Sequence, residues 1–94
     1  MPKKKAQVKR KRIIFSLDAP GAKEVSLVGT FNMWNKKKHP MKKTDDGIWK
    51  KFIIIPSGTY EYKFLVDGEW WHDPKNEKVC YNEHGTLNSV ITVN

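Results

Sequence analysis

Residues 58–74 read GTYEYKFLVDGEWWHDP, and this stretch decides the fold. Aromatic and aliphatic residues occupy every second position of its first half, YEYKFLV at 60–66. A period of two predicts a strand with one face in a core and the other face, which carries Lys63, outside it. Asp67-Gly68 then signals a tight turn, because glycine accepts a positive φ at little cost.

Two tryptophans, Trp70 and Trp71, follow this turn, and Pro74 closes the segment. Proline cannot donate to a sheet ladder, so the strand is predicted to end before it. A lysine on an outward face beside a tryptophan suits contact with a flat, hydroxylated ligand better than it suits a core. Adjacent strand residues face opposite ways, so a role for Trp71 in widening this surface and one in packing on the sheet both stay open.

The rest of the chain alternates short apolar runs with turn signals at intervals of about 8–12 residues, which is typical of a β-sandwich or small barrel. No segment shows a sustained helical period. We therefore predict an all-β domain, with Trp49 in its core and Trp34 on a loop. The further predicted strands are 12–17, 24–29, 41–44, 48–55, 79–81 and 86–93.

Positive charge is concentrated at the start of the chain. The formal net charge is +8, and seven of the 18 Lys and Arg residues lie in MPKKKAQVKRKR at 1–12, which has no acidic residue. We expect 1–10 to be a disordered basic arm and 11–94 to be one domain. Residues 13–94 hold 11 Lys and Arg against 10 Asp and Glu, so the charge beyond the basic run is nearly balanced. Nucleic-acid binding is therefore expected to be weak and confined to the arm.

The single cysteine, Cys80, excludes an internal disulfide and a Cys-rich metal site, which fits a reducing, cytoplasmic location. No apolar run approaches the ~20 residues of a membrane-spanning helix, so we expect no membrane partner.

The sequence lacks the residue patterns of an enzyme. It has no Gly-rich phosphate loop, no paired metal-ligand spacing and no Ser/His/Asp arrangement. Asp67 and Asp73 flank Glu69 closely, and paired carboxylates can serve glycoside hydrolysis. Both aspartates have ordinary structural uses, beside a turn and before a proline. We predict a protein with no catalytic residue, no metal site and no cofactor.

Three segments, in order, resemble one family. They read EVSLVGTFNMW at 24–34, GIWKKFIIIPSGTYEYKFLVDGEWWHDP at 47–74 and HGTLNSVITV at 84–93. Together they resemble the family 48 carbohydrate-binding modules, which include the glycogen-binding domain of the AMP-activated protein kinase β subunit. The resemblance covers about residues 11–94. It implies an immunoglobulin-like β-sandwich of the early-set type that binds α-1,4-glucans: glycogen, starch and maltooligosaccharides.

The resemblance also implies a site. Two tryptophans of this chain, Trp34 and Trp70, match family residues that stack on sugar rings, and Lys63 matches a lysine that reaches a sugar hydroxyl. Two residues of the last loop, Thr86 and Asn88, match residues that make polar contacts with the sugar. The kinase version has a leucine before the Gly-Thr of that loop, where this chain has a less apolar histidine, and a small polar residue is common at the position of Trp71. The expected carbohydrate-binding residues are Trp34, Lys63, Trp70, His84, Thr86 and Asn88.

A non-catalytic α-glucan-binding module is the first interpretation. The implied partners are an α-glucan and a glycogen- or starch-metabolising enzyme or a kinase complex. One alternative is a protein-interaction or kinase-associated scaffold module of the same fold, and another is nucleic-acid binding through the arm and exposed aromatic residues. Two alternatives for single residues also remain: Trp34 and Trp70 could pack at the edge of the core, and Lys63 could be an ordinary solvated lysine.

Overall fold

A computed structural model describes residues 9–94 of the chain. Of the arm that was expected to be disordered, 1–10, residues 1–8 lie outside this range, and Arg10 is the first residue of a strand. Within the described range, the regular structure consists of eight strands and one 3₁₀ turn, Thr30–Asn32, and each predicted strand is present. The strands are β1 (Arg10–Asp18), β2 (Val25–Gly29), β3 (Lys42–Lys43), β4 (Ile48–Pro56), β5 (Gly58–Val66), β6 (Glu69–Trp71), β7 (Val79–Tyr81) and β8 (Leu87–Val93).

The strands form two antiparallel sheets. The first sheet has the order β1–β4–β3, and the second has the order β2–β5–β8–β7, with β6 also paired to β5. The chain crosses between the sheets three times, from β1 to β2, from β2 to β3 and from β4 to β5. The two sheets pack as a sandwich, which confirms the predicted immunoglobulin-like β fold.

Alternation along β5 separates the core from the surface, as the sequence predicted. Tyr62, Phe64 and Val66 are buried, and Phe15 meets Tyr62 edge to face with the ring centroids 4.9 Å apart. Trp49 is also buried, so it is a core residue as predicted. Fully burying one large apolar side chain contributes about 1.5–3 kcal/mol, so this pattern decides which face of each sheet points inward. The first sheet contributes Phe15, Leu17, Trp49, Ile53 and Ile55 to the core.

A buried polar cluster ties the loop after β6 to the second sheet. The Tyr62 hydroxyl donates to Asp73 Oδ2 at 2.7 Å and accepts from Asn76 Nδ2 at 3.1 Å. The Asp73 backbone N–H donates to the fully buried Ser89 Oγ at 2.7 Å. Burial, and then the Asp73 carboxylate, raise the pKa of Tyr62 far above its usual value, so the phenol keeps its proton. Asp73 therefore has a structural role.

Residues that alternate with the core positions give the sandwich two different outer faces. The outer face of the second sheet carries polar side chains such as Glu61 and Lys63, which alternate along β5 with the core residues Tyr62 and Phe64. The outer face of the first sheet carries Ile14, Phe52 and Ile54, all of them exposed. These two faces lie on opposite sides of the core.

Gly29 ends β2 at a point where no Cβ fits. A Cβ built there would lie 2.5 Å from the carbonyl oxygen of Glu61 and 2.9 Å from the Phe31 ring. We expect Gly29→Ala to lower the free energy of unfolding by about 1–3 kcal/mol, because this overpacking forces β2 away from β5. Urea denaturation measures the change, and Gly21→Ala is the control, because a Cβ at Gly21 meets nothing within 4 Å. Equal stability of the two variants would contradict the packing described.

Candidate functional site

An open groove of about 980 Å³ lies on the outer face of the second sheet. Its lining comes from the loop after β2, from β5 and β6, and from the β7–β8 hairpin. All the side chains that the resemblance implied lie together in this groove, although they come from distant parts of the chain. They are Trp34, Lys63, Trp70, His84, Thr86 and Asn88.

A constrained turn directs Trp34 into the groove. Met33 and Trp34 both adopt left-handed backbone conformations, with φ of 56° and 58°, at a cost on the order of 1–3 kcal/mol each. The Trp34 N–H donates to Gly29 O at 2.9 Å. The buried Asn32 side chain accepts from the Gly29 N–H and donates to Leu27 O, both at 3.0 Å. These hydrogen bonds hold the turn and therefore hold the indole in place.

Trp70 contributes a second aromatic surface to the groove. It pairs with Leu65 across β5 and β6, which gives it the same outward side as Lys63, and it is exposed. Lys36 Nζ, from the loop that carries Trp34, lies 5.6 Å from the Trp70 ring centroid. Such a cation–π contact at an exposed site is worth ~0.5–1 kcal/mol and connects the two aromatic parts of the groove. Lys36 was not among the predicted site residues, because one lysine in a run of three carries no local signal.

Hydrogen-bonded polar side chains form the floor of the groove. Lys63 Nζ donates to Thr86 Oγ1 at 3.0 Å, and Asn88 Nδ2 donates to Glu61 Oε1 at 2.9 Å. Lys63 is 8% exposed and Asn88 is 4% exposed, although both face outward. Lys63 is therefore a covered residue with its ammonium group held at the floor, and the alternative of a plain solvated lysine is wrong.

Asn82, which the sequence analysis did not single out, organises the hairpin loop between β7 and β8. Its Nδ2 donates to Thr86 Oγ1 at 2.7 Å and to Asn88 Oδ1 at 3.0 Å. Its Oδ1 accepts from the backbone N–H groups of His84 and Thr86 at 3.0 and 3.1 Å. Both N–H donors and both lone pairs of the amide are used, so Asn82 positions its neighbours. The available signal was an asparagine three residues before Gly85, which takes φ 78° in this turn.

The same hydrogen bonds define which polar atoms of the floor remain available. Thr86 Oγ1 accepts from both Lys63 and Asn82, so its two lone pairs are filled and its O–H is left to donate. Lys63 retains two N–H donors, and Asn88 retains one N–H and one lone pair. Lys63, Thr86 and Asn88 therefore offer donors to a molecule in the groove, and the Glu61 carboxylate beside Asn88 offers acceptor capacity.

Glu61 is the carboxylate of this floor. Hydrogen bonds from Asn88 and then from Cys80 lower the pKa of Glu61. A lowered folded-state pKa means that this contribution to stability is present above the usual glutamate pKa and is lost only as the pH falls through the lowered value. The bond to Glu61 also raises the pKa of Cys80, so the thiol stays protonated. A carboxylate held ionised in this way is unsuited to act as a general acid.

The paired carboxylates that the sequence suggested for hydrolysis lie outside the groove. Asp67 Oδ1 accepts from the backbone N–H groups of Lys23 and Glu24 at 2.9 and 2.8 Å, and Asp73 holds Tyr62. Over residues 9–94, no cluster of three or more His, Cys, Asp or Glu side chains is placed to hold a metal ion. No helix in the same range is long and apolar enough to cross a membrane.

His84 and Trp71 occupy different surroundings. The His84 side chain is largely exposed at the groove, with Nε2 3.9 Å from Glu83 Oε1, while its backbone N–H is anchored on Asn82. Trp71 pairs with Phe64, so it points away from the groove that Trp70 lines. It lies in a separate depression beside the β1–β2 turn. Trp71 therefore does not widen the tryptophan surface of the groove.

Comparison with known proteins identifies the class. Residues 12–94 match the domain family described as the glycogen recognition site of AMP-activated protein kinase, and the chain belongs to this family. The match confirms the resemblance carried by the sequence motifs. It also confirms the prediction that this domain is non-catalytic, since the family is described as a recognition site for glycogen.

Individual relatives are kinase subunits. The 5'-AMP-activated protein kinase subunit beta-1 of Sus scrofa is 42% identical over 73 residues, which are 78% of this chain and 57% of that protein. The subunit beta-2 of Homo sapiens is 41% identical over 73 residues, which are 78% of this chain and 26% of that protein. The chain thus spans about half of the first relative and about a quarter of the second.

Removing the Asn82 amide is expected to loosen the β7–β8 loop. In Asn82→Ala, the backbone N–H groups of His84 and Thr86 lose their acceptor, so their hydrogen exchange should accelerate by about tenfold or more. Asn82→Asp keeps an acceptor oxygen and should protect both amides partly. Two-dimensional NMR measures the exchange, with Glu83→Ala as the neighbouring control. Unchanged protection in Asn82→Ala would show that the loop does not depend on this side chain.

Proposed function

We propose that the groove binds α-1,4-glucans, namely glycogen, starch chains and maltooligosaccharides, without altering them. The observation that carries this proposal is the presence of Trp34 and Trp70 in one groove above a polar floor with free hydrogen-bond donors. Family membership supports glycogen as the polymer bound.

Stacking supplies most of the proposed binding energy. A pyranose ring has apolar C–H faces and a rim of hydroxyl groups, so its face packs on an indole ring. Each Å² of apolar area removed from water contributes about 25 cal/mol. The turn that carries Trp34 is already held by Asn32, so little ordering is needed on binding. Two tryptophans on separate segments suit a curved α-1,4-linked chain better than one flat surface would.

The polar floor fixes the position of the sugar. Lys63 and the Thr86 hydroxyl donate to sugar oxygens, and Asn88 exchanges hydrogen bonds with a hydroxyl through its remaining N–H and lone pair. Lys63 and Asn88 are covered, and hydrogen bonds are stronger where water is excluded. A hydrophobic ligand of the same size would leave these groups unpaired, which disfavours it.

His84 adds a contact at the edge of the groove. Its exposed ring packs against or hydrogen-bonds the outer side of the bound chain. A histidine buries less apolar surface than the leucine that the resemblance implies here, so we propose a weaker preference for coiled or cyclic glucans.

We propose that residues 11–94 bind the glucan, that 1–10 form a separate basic arm, and that the protein is cytoplasmic. The arm meets the sandwich where Arg10 pairs with Pro56, at the start of β1 in the first sheet. The groove lies on the second sheet, so the arm is attached away from it.

Replacing either groove tryptophan should weaken binding directly. Trp34→Ala and Trp70→Ala are each expected to cost about 1–3 kcal/mol in maltoheptaose affinity, the range of aromatic stacking on flat ligands. Titration calorimetry measures the affinity, and Phe52→Ala is the matched control because Phe52 is an exposed aromatic residue on the opposite face. Both variants should be destabilised less than Phe64→Ala, where core loss costs roughly 3–5 kcal/mol. Unchanged affinity in both variants would reject the site.

A salt series on the same samples separates glucan from nucleic acid. Maltoheptaose is uncharged, so its affinity should hold up to about 0.5 M salt, where charge–charge attraction is largely screened. Duplex DNA bound through the arm should weaken with a log–log slope of about −0.9 per phosphate neutralised. Steeply salt-dependent sugar binding would contradict the stacking mechanism.

The outer face of the first sheet favours a second function, the docking of a protein partner. Ile14, Phe52 and Ile54 are 63%, 48% and 58% exposed there. Ile14 pairs with Phe52, and Arg12 pairs with Ile54 and holds its guanidinium 4.0 Å from the Phe52 ring centroid. A contiguous apolar patch bordered by charge is typical of an interaction surface.

Cations surround this patch and restrict what can cover it. They are Arg10, Arg12, Lys42 and Lys50. Four like charges disfavour a second copy of the chain, so we propose an acidic surface of a partner protein as the occupant. A kinase catalytic subunit is the favoured partner, since the relatives are kinase subunits. The patch and the groove are on opposite faces, so a glucan and a partner can be held together.

Reversing the character of the patch tests this second function. Phe52→Glu and Ile54→Glu are each expected to weaken binding to the purified catalytic subunit of an AMP-activated protein kinase by about tenfold or more, because a charge is buried at the contact. Biolayer interferometry measures the affinity. Met33→Glu is the control, because Met33 is an exposed apolar residue outside the patch. Equal loss in all three variants, or none in any, would reject the docking face.

A further inference from the structure

A second depression lies on the side of β6 opposite to the groove. Trp70 and Trp71 are adjacent, yet their partners on β5, Leu65 and Phe64, face opposite ways. Trp71 is 38% exposed and lines a depression of about 340 Å³ between β6 and the β1–β2 turn at 18–22. A half-exposed indole at a concave surface is not what core packing alone requires.

Hydrogen bonds already fix the turn that forms one wall. Ala19 O accepts from the Trp49 indole N–H at 2.8 Å and from the Ala22 N–H at 3.1 Å. Pro20 O accepts from Lys43 Nζ at 3.3 Å. On the other side, Asp67 is bound to the backbone of Lys23 and Glu24. The depression is therefore preformed, as small-molecule sites usually are.

The lining combines an aromatic face with apolar and acceptor groups. Trp71, Pro20 and Ala22 supply apolar surface, and the exposed carboxylates of Asp18 and Glu69 supply acceptors. Asp67 already accepts three hydrogen bonds from backbone N–H groups, so it contributes shape more than binding. An aromatic face beside carboxylates matches a pyranose, whose face stacks on indole and whose hydroxyls donate to carboxylates. The volume suits one or two glucosyl units.

We propose that the Trp71 depression is a second glucan-binding site, which takes one or two glucosyl units of the polymer that the groove binds. This inference rests on the proposed function of the groove. Because Trp70 and Trp71 are neighbours on one strand and face opposite ways, the two sites hold separate chains. A branched glucan offers many such chains, so binding at both sites raises the apparent affinity for glycogen over that for a short linear oligosaccharide.

Indole N–H signals in NMR spectra of the full chain distinguish the two sites. Maltotriose is titrated into the wild type and into Trp70→Ala. The Trp71 signal should shift with its own saturation curve and should still shift in Trp70→Ala. The Trp49 signal is the internal reference, because that N–H is bound to Ala19 O. Glu69→Gln should weaken the response of Trp71 by about threefold or more and leave that of Trp70 unchanged.

A shift of Trp70 without any shift of Trp71 would overturn the second site and leave the groove standing. A shift of Trp71 alone would support the second site while the groove assignment fails, and no shift at either would reject both. If the Trp71 signal shifted with a peptide of the basic arm but not with maltotriose, the depression would be a site for basic side chains, and the proposal would be overturned.

Glycogen provides the second readout. Trp71→Ala should reduce apparent glycogen affinity in native affinity gels by about tenfold, while its maltoheptaose affinity at the groove stays within about twofold of the wild type. Phe52→Ala is the control for loss of an exposed aromatic residue. Glu69→Gln, which keeps the indole, should reduce glycogen affinity in the same direction. Glycogen affinity equal to that of the wild type in both Trp71→Ala and Glu69→Gln would overturn the proposal.

Discussion

The two-residue period of β5 is the constraint on which both the core and the groove depend. Phe64 faces the core and Lys63 faces the groove, and β5 pairs with β2, β6 and β8. A slip of one residue would place Lys63 among apolar side chains and Phe64 in water. Core burial on one face of β5 therefore also fixes the positions of the residues that β5 contributes to the groove.

Local patterns were sufficient to predict the strands, because alternation and turn residues act over a few positions. The set of residues that share the groove came from the resemblance to a family, since no local pattern connects segments so far apart in the chain. Asn82 escaped prediction, since its role depends on where the β7–β8 hairpin brings Thr86 and Asn88. The burial of Lys63 escaped as well, because the exposure of a lysine depends on what covers it, and here Thr86 holds its ammonium group. The residue types at the site can be predicted from the sequence, but their hydrogen-bonding partners depend on the tertiary structure.

The length of the turn between β5 and β6 determines which of the two adjacent tryptophans, Trp70 or Trp71, faces the groove, a question that the sequence left open. Asp67 and Gly68 both take positive φ, 49° and 87°, and close a two-residue turn that sets Val66 opposite Glu69. That register assigns Trp70 to the groove side and Trp71 to the core side of the sheet. One more residue in the turn would exchange the two tryptophans. The backbone N–H groups of Lys23 and Glu24 donate to the Asp67 carboxylate, and these hydrogen bonds stabilise the turn.

The Asn82 amide uses all of its hydrogen-bonding positions within the loop and the floor, so the side chain at the tip of the loop, His84, is not needed to hold them together. His84 is tied to the rest of the loop through its backbone N–H, and its side chain makes no bond to the floor formed by Lys63, Thr86 and Asn88. The side chain at position 84 can therefore be exchanged by mutagenesis without removing a hydrogen bond of the floor. A substitution at position 84 therefore changes the edge of the groove and leaves the hydrogen bonds of its floor in place.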